Sequence, residues 1–182
     1  MAGESGAAIM TTRRGSTVAV FGAYGHTGRF VAAELRRRGI AAILSGRDRV
    51  KLDLLGPVHP DSDLRVASIE DPASLDRVLE DADIVVNCAG PFGETAPALI
   101  EAALRARCHY LDVTGEALVT IETFARYAES ELNVKRVRDA DIVLVPSMAF
   151  YGALGDLLAT VALGDWAVGV NELKKDLRVC AR

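Results

Sequence analysis

Residues 18–35 read VAVFGAYGHTGRFVAAEL: an apolar run halts at Gly22, glycines recur at Gly25 and Gly28, and a helical pattern follows. No other stretch of the 182-residue chain narrows its architecture as much. A first glycine in such a junction permits a tight turn out of a strand. A second lets main chain approach a pyrophosphate, and a third lets the helix sit close on the strand. The helix start offers unpaired N–H groups and the positive end of its dipole to an anion. Thr27 adds a hydroxyl donor there, and His26 lies in the same turn, facing either phosphate or solvent. Three glycines alone are a weak signal; after a strand and before an amphipathic helix they read as a nucleotide-binding turn. The competing reading is a glycine turn with no ligand.

The rest of the chain repeats that alternation. Apolar runs at 17–21, 41–45, 64–67, 83–88, 110–113 and 142–145 are strand candidates, and most lack strict alternation, as strands covered on both faces do. Helical patterns lie between them at 27–38, at 72–79 behind Asp71 and Pro72, at 95–107 and at 117–139 with a break near Asn133; a last one runs over 154–163. The order predicts an α/β fold: a doubly wound, Rossmann-like parallel sheet of about six strands with right-handed crossovers. The expected organisation is a flexible terminus over 1–15, a nucleotide-binding domain over 16–150, and a C-terminal helix with the truncated start of a further, missing domain over 151–182. Half of the residues are hydrophobic, enough for a substantial core in one domain.

Several classes are disfavoured. The net charge of −4 is dispersed, and the run Arg36, Arg37, Arg38 falls where a helix ends, so nucleic acid is not an expected partner. No apolar stretch approaches the roughly 18 residues that span a bilayer. Cys88, Cys108 and Cys180 are odd in number and lack metal-ligand spacing, which fits a reducing, cytoplasmic compartment and no metal; His26, His59 and His109 are equally scattered. A short-chain dehydrogenase needs Lys four residues after Tyr, but Tyr24, Tyr110, Tyr127 and Tyr151 are followed by Gly28, Thr114, Glu131 and Gly155. Neither GxxxxGK[ST] nor GxSxG occurs.

In a doubly wound sheet, ligands bind beyond the carboxyl ends of the strands. At the end of the second strand, ILSGRDR carries Ser45 and Arg47 where a carboxylate would read a free ribose diol. A hydroxyl and a guanidinium suit a 2′-phosphate instead, pointing to NADP rather than NAD; Asp48 is expected to turn away and open the next helix. VVNCAGPF ends the fourth strand in a Gly90-Pro91 turn with Asn87 placed to hydrogen-bond a ribose or nicotinamide, while Cys88 reads as a small buried residue rather than a nucleophile. HYLDVTGE brings Asp112, Thr114 and Glu116 to the same edge, where Asp112 either ties down a loop or meets a ligand.

The segments VAVFGAYGHTGR, LSGRDRVKL, ADIVVNCAGPF and CHYLDVTGE, in this order and spacing, resemble the NADP-binding domain of the saccharopine dehydrogenase-like family, which is similar to trans-acting enoyl reductases. The resemblance covers roughly 17–116, and more weakly DIVLVPSMAFYGALGDLLA. It implies an NADP-dependent oxidoreductase transferring hydride. The implied cofactor contacts are Gly22, Tyr24, Gly25, His26, Thr27 and Gly28, then Ser45 and Arg47, then Asn87, Cys88, Ala89, Gly90 and Pro91. Family members continue into a second α/β domain that carries much of the substrate site, and the DSVPSD-like turn frequent among them is replaced by MAFYGALGD, so no catalytic residue is transferred. The expected partners are NADP(H), a small-molecule substrate if a second domain or chain supplies its site, and a further copy of the chain in a homo-oligomer. Two other readings stand beside the enzyme: a non-catalytic NADP(H)-binding module or sensor subunit, and an inactive fragment.

Overall fold

The computed structural model describes residues 15–149 and Leu158. Within them β1 (Val18–Phe21), α1 (His26–Arg37), β2 (Ala42–Gly46), α2 (Arg49–Asp53), β3 (Asp63–Val66), α3 (Pro72–Leu79), β4 (Ile84–Asn87), α4 (Phe92–Ala106), β5 (His109–Asp112), α5 (Ala117–Phe124), α6 (Glu131–Ala140) and β6 (Leu144–Val145) follow in order. The six strands form one sheet, ordered β3-β2-β1-β4-β5-β6, with every pairing parallel. This is the doubly wound order, and the chain reverses direction across the sheet between β1 and β4.

Strand parity explains why the apolar runs lack polar alternation. Val18 and Val20 pack with Ala32 of α1 and Leu52 of α2 on one face of the sheet. Ala19 and Phe21 pack with Leu75 and Val78 of α3 and Leu99 and Ile100 of α4 on the other. A strand pressed between two helical layers must be apolar at every position, and all four residues of β1 are buried.

The remaining differences are local. The helix expected from residue 95 begins at Phe92, directly after Pro91. The helix expected over 117–139 is interrupted earlier than Asn133: a π-helical turn over Ala125–Glu129 carries the buried Tyr127 inward, and extended backbone at Ser130 separates it from α6. Asp71 and Pro72 open α3 as expected, although no side chain caps it. Arg36 and Arg37 fill the last turn of α1, and Arg37 and Arg38 both pair with Glu34 at its exposed end. The expected helix at 154–163 and the expected flexible terminus lie outside the described residues, apart from helical Leu158 and exposed Gly15. No helix among the described residues is long and apolar enough to cross a membrane.

Candidate functional site

Gly22 turns the chain out of β1 with φ +81°, in the left-handed region that glycine enters without steric cost. It also lies against the β4–α4 loop: a Cβ on Gly22 would meet the Ala89 Cβ at 2.9 Å. Two amides of the turn, from Gly22 and Ala23, donate to the Ser45 carbonyl at 2.9 Å, locking the turn to the end of β2. Gly28 brings α1 down onto the turn, where a Cβ would stand 2.8 Å from the Ala23 Cα. Gly25 takes the N-cap position; no side chain caps α1 and no acid occupies its first turn. His26 and Thr27 are exposed there, the His26 ring standing edge-on to Phe30 at 5.2 Å. The helix therefore presents free amides and an unopposed dipole end toward solvent.

Beside this turn, at the carboxyl edge where the loops leaving β1 and β4 part, lies a cleft of about 390 Å³. One wall is Gly22, Tyr24, Gly25, Gly46, Arg47 and Lys51; the other is Cys88, Ala89, Gly90, Pro91 and Glu94; residues 68–70 line it as well. The Tyr24 ring is fixed on three sides. It packs on Gly46, where a Cβ would meet its Cζ at 2.9 Å; its hydroxyl accepts from the Asp48 amide at 3.1 Å; Lys51 Nζ stands 5.9 Å from its ring centre. Asp48 lines the cleft but spends its carboxylate on α2, accepting from the Lys51 amide at 3.1 Å as the N-cap. Arg47 is exposed and forms no ion pair among the described residues. Across the cleft, the Glu70 carboxyl is held below its usual range, chiefly by the Ser68 hydroxyl and its own amide, with the Arg47 charge adding to both.

The structure thus brings together Gly22, Tyr24, Gly25, Arg47, Cys88, Ala89, Gly90 and Pro91 from the expected set, with His26, Thr27 and Gly28 in the adjoining turn. Ser45 and Asn87 are placed otherwise. Phe21 pairs in register with both, so all three side chains share the face that packs on α3 and α4. Ser45 is fully buried and its Oγ has no partner, so the hydroxyl does not stand beside Arg47 in the cleft. Asn87 is fully buried with both ends engaged: Nδ2 donates to Thr95 Oγ1 at 3.0 Å, and Oδ1 accepts from the Ala89 amide at 3.0 Å. The ribose contact expected of Asn87 is replaced by a grip on the loop that walls the cleft. Asp112 likewise ties down loops, accepting from the Thr114 and Ser147 amides at 3.0 and 2.9 Å. Burial, reinforced by the charge of Asp112, pushes the Cys88 thiol up to about 12, so it stays protonated and is no nucleophile.

Lys51, Gly46, residues 68–70 and Glu94 were not legible as site residues. Residues 68–70 follow the third strand at the same sheet edge, so the strand-end rule that found Arg47 applies to them too. Lys51 stands three positions beyond the N-cap Asp48, a signal available once α2 is recognised as a helix. No group of three or more His, Cys, Asp or Glu able to hold a metal occurs among the described residues.

Residues 18–144 match the family described as Saccharopine dehydrogenase NADP binding domain. A saccharopine dehydrogenase-like oxidoreductase of Mus musculus is 28% identical over 167 residues, covering 82% of this chain and 38% of that one. A trans-acting enoyl reductase of Mycobacterium ulcerans is 30% identical over 116 residues, covering 60% of this chain and 28% of that one. Among solved structures, apo saccharopine dehydrogenase (L-Glu forming) from Saccharomyces cerevisiae superposes with a TM-score of 0.63 at 17% identity, covering 81% of this chain and 30% of that one. The chain spans well under half the length of these relatives. With about 70% of its residues inside that match, and with the doubly wound sheet and glycine turn described above, the chain belongs to the saccharopine dehydrogenase NADP-binding domain family and carries its nicotinamide dinucleotide site.

Proposed function

We propose that the cleft holds NADP(H), its diphosphate on the Gly22–Gly25–Gly28 turn and its 2′-phosphate at Arg47, in service of hydride transfer to or from a small-molecule substrate. One observation carries this reading: an uncapped helix start free of acids opens beside a cleft whose second-strand end bears a guanidinium with no ion pair among the described residues. A ribose diol would be met there by a free carboxylate. The carboxylate that follows β2 belongs to Asp48 and is committed to capping α2. Arg47 and Lys51 give the 2′-phosphate two cations on one wall.

The residues fit the group in shape as well as charge. Gly25 leaves main chain bare at the helix start, and Tyr24, held by Gly46 and Asp48, offers a rigid aromatic edge beside Arg47. Residues 88–91, fastened by Asn87 and Thr95, form the opposite wall. The bound nicotinamide would supply the hydride chemistry; the chain's own groups hold the dinucleotide and keep the Cys88 thiol neutral beside it. Free Cys88 and buried free Cys108 suit a reducing, cytoplasmic setting.

Calorimetric titration of the chain with NADPH and with NADH tests this. One-site binding that favours NADPH supports it, and the absence of heat at millimolar cofactor overturns it. Cofactor-dependent association with a partner, without a nicotinamide absorbance change across a substrate panel, would favour the non-catalytic, sensor class.

A further inference from the structure

The motif HYLDVTGE, which the glycine turn does not use, is built into a buried network that ends at the cleft wall. Asn87, Tyr110, Asp112 and Thr114 are all fully buried or nearly so. Beginning at the cleft, the Ala89 amide donates to Asn87 Oδ1 at 3.0 Å, and Thr95 Oγ1 donates to the Ala89 carbonyl at 2.6 Å. Asn87 Nδ2 donates to the Tyr110 hydroxyl at 3.3 Å, and that hydroxyl donates to Asp112 Oδ2 at 2.9 Å. The other carboxylate oxygen, Oδ1, receives the Thr114 and Ser147 amides, and the Asp112 carbonyl receives the Met148 amide at 2.8 Å. A second route returns from the same carboxylate: Thr114 Oγ1 accepts from the Glu116 amide at 3.0 Å, and Glu116 Oε1 accepts from the Phe92 amide at 3.2 Å. Both ends of the loop 88–91 are therefore fastened to Asp112, one through Tyr110 and the other through Thr114 and Glu116.

We propose that Tyr110 is a positioning residue that makes the seat of the dinucleotide at residues 88–91 and the loops beyond β5 and β6 (113–116 and 146–148) one mechanical unit. The proposal rests on the cofactor reading of the cleft. Tyr110 is suited to the task because, among the described residues, it is the single side chain that hydrogen-bonds both Asn87 and Asp112. Burial and the neighbouring carboxylate keep its phenol protonated far above neutral pH, so it always has a proton to give Asp112. Those two loops flank the carboxyl ends of β5 and β6, where a reactant beside the cofactor would sit in this fold. Setting the cofactor wall and this edge together links the occupancy of one to the shape of the other.

The test is Tyr110→Phe in the full chain, titrated with NADPH and, separately, with 2′,5′-ADP, which carries the adenylate half alone. The adenylate wall (Tyr24, Gly46, Arg47) has no bond to the network, so 2′,5′-ADP should bind within about twofold of wild type. NADPH, which also needs residues 88–91, should weaken about three- to tenfold, the worth of one internal hydrogen bond. Hydrogen exchange supplies the second readout: NADPH should slow the Thr114 and Ser147 amides in wild type, and that slowing should vanish in Y110F while persisting at the glycine turn. Equal losses for both ligands, or slowing unchanged at Thr114 and Ser147, overturn the proposal and leave the cofactor reading standing. A wild-type chain that binds neither ligand removes both. If Y110F does not fold, the exposed Glu116→Ala, which opens the second route, must show the same split between ligands; without it the proposal fails.

Discussion

Replacing Gly22 by alanine tests whether the first glycine is required by conformation, by contact, or by both. Gly22 has φ +81°, and a Cβ there would sit 2.9 Å from the Ala89 Cβ and 3.0 Å from the Ala89 nitrogen. Gly39 provides the control, with φ +67° and nothing within 4 Å of its Cβ position. Gly39→Ala therefore reports the left-handed backbone cost alone, about 1 kcal/mol after the smaller entropy of the unfolded chain is allowed for. Gly22→Ala carries that cost plus the overpacking against backbone that has little room to yield, about 1–3 kcal/mol more. The total is about 2–4 kcal/mol. Urea unfolding followed by far-ultraviolet circular dichroism should place Gly22→Ala well below Gly39→Ala in midpoint at unchanged slope. Ala89 can relieve the clash only by moving the loop that walls the cleft, so the same variant should lose NADPH affinity. Equal losses for the two variants would refute the reasoning, because contact with Ala89 would then contribute nothing.

Arg47→Ala should weaken NADPH by about 1.5–3 kcal/mol, roughly ten- to 150-fold, and leave NADH nearly unchanged, as calorimetry would show. Glu101 binds α6 to α4, receiving Arg136 Nη2 at 2.6 Å and the Tyr127 hydroxyl at 2.8 Å. The Arg136 hydrogen bond, the Tyr127 hydroxyl and the charges of Arg136 and Arg126 hold its carboxyl below the usual range against the opposing effect of burial. A folded value below the unfolded one means the contribution is full above the ordinary carboxylate range and is lost as pH falls through the depressed value. Glu101→Gln should cost about 1–2 kcal/mol at pH 7, and the difference from wild type should shrink in acid melts. Cys88, with its thiol raised to about 12, should react with iodoacetamide at pH 8 more than about tenfold more slowly than an ordinary exposed thiol, the scarcity of thiolate outweighing the greater nucleophilicity of a more basic one.

Much of this was legible in the sequence, and the reasons are physical. The strands announced themselves because a sheet covered on both sides demands unbroken apolar runs, as in residues 18–21. The glycine turn was legible because Gly22 and Gly28 answer two separate geometric needs: a positive φ, and the approach of α1 to the turn. The place of Arg47 on the cleft was legible because it lies in the loop just past a strand end, where either parity leads to the sheet edge. Ser45 and Asn87 were read toward the ligand because the sequence does not tell which face an in-strand side chain occupies. Their register with Phe21 sends them to the α3 and α4 side, where Asn87 builds the cleft wall from behind. Asp112 shows the same limit: its motif marked a place, and only its partners, the Tyr110 hydroxyl and two loop amides, revealed the task. The break in the helical pattern over 117–139 was misplaced because the π-helical turn that sets it has no local signature; its buried Tyr127 reaches Glu101 of α4, a tertiary contact.

The most direct test of the central claim titrates NADPH and NADH into one preparation of the chain under identical salt. The arrangement of Gly22, Gly25 and the uncapped α1 beside Arg47 predicts a single site per chain that prefers NADPH by tenfold or more. No binding of either dinucleotide at millimolar concentration, or equal affinity for the two, would contradict it.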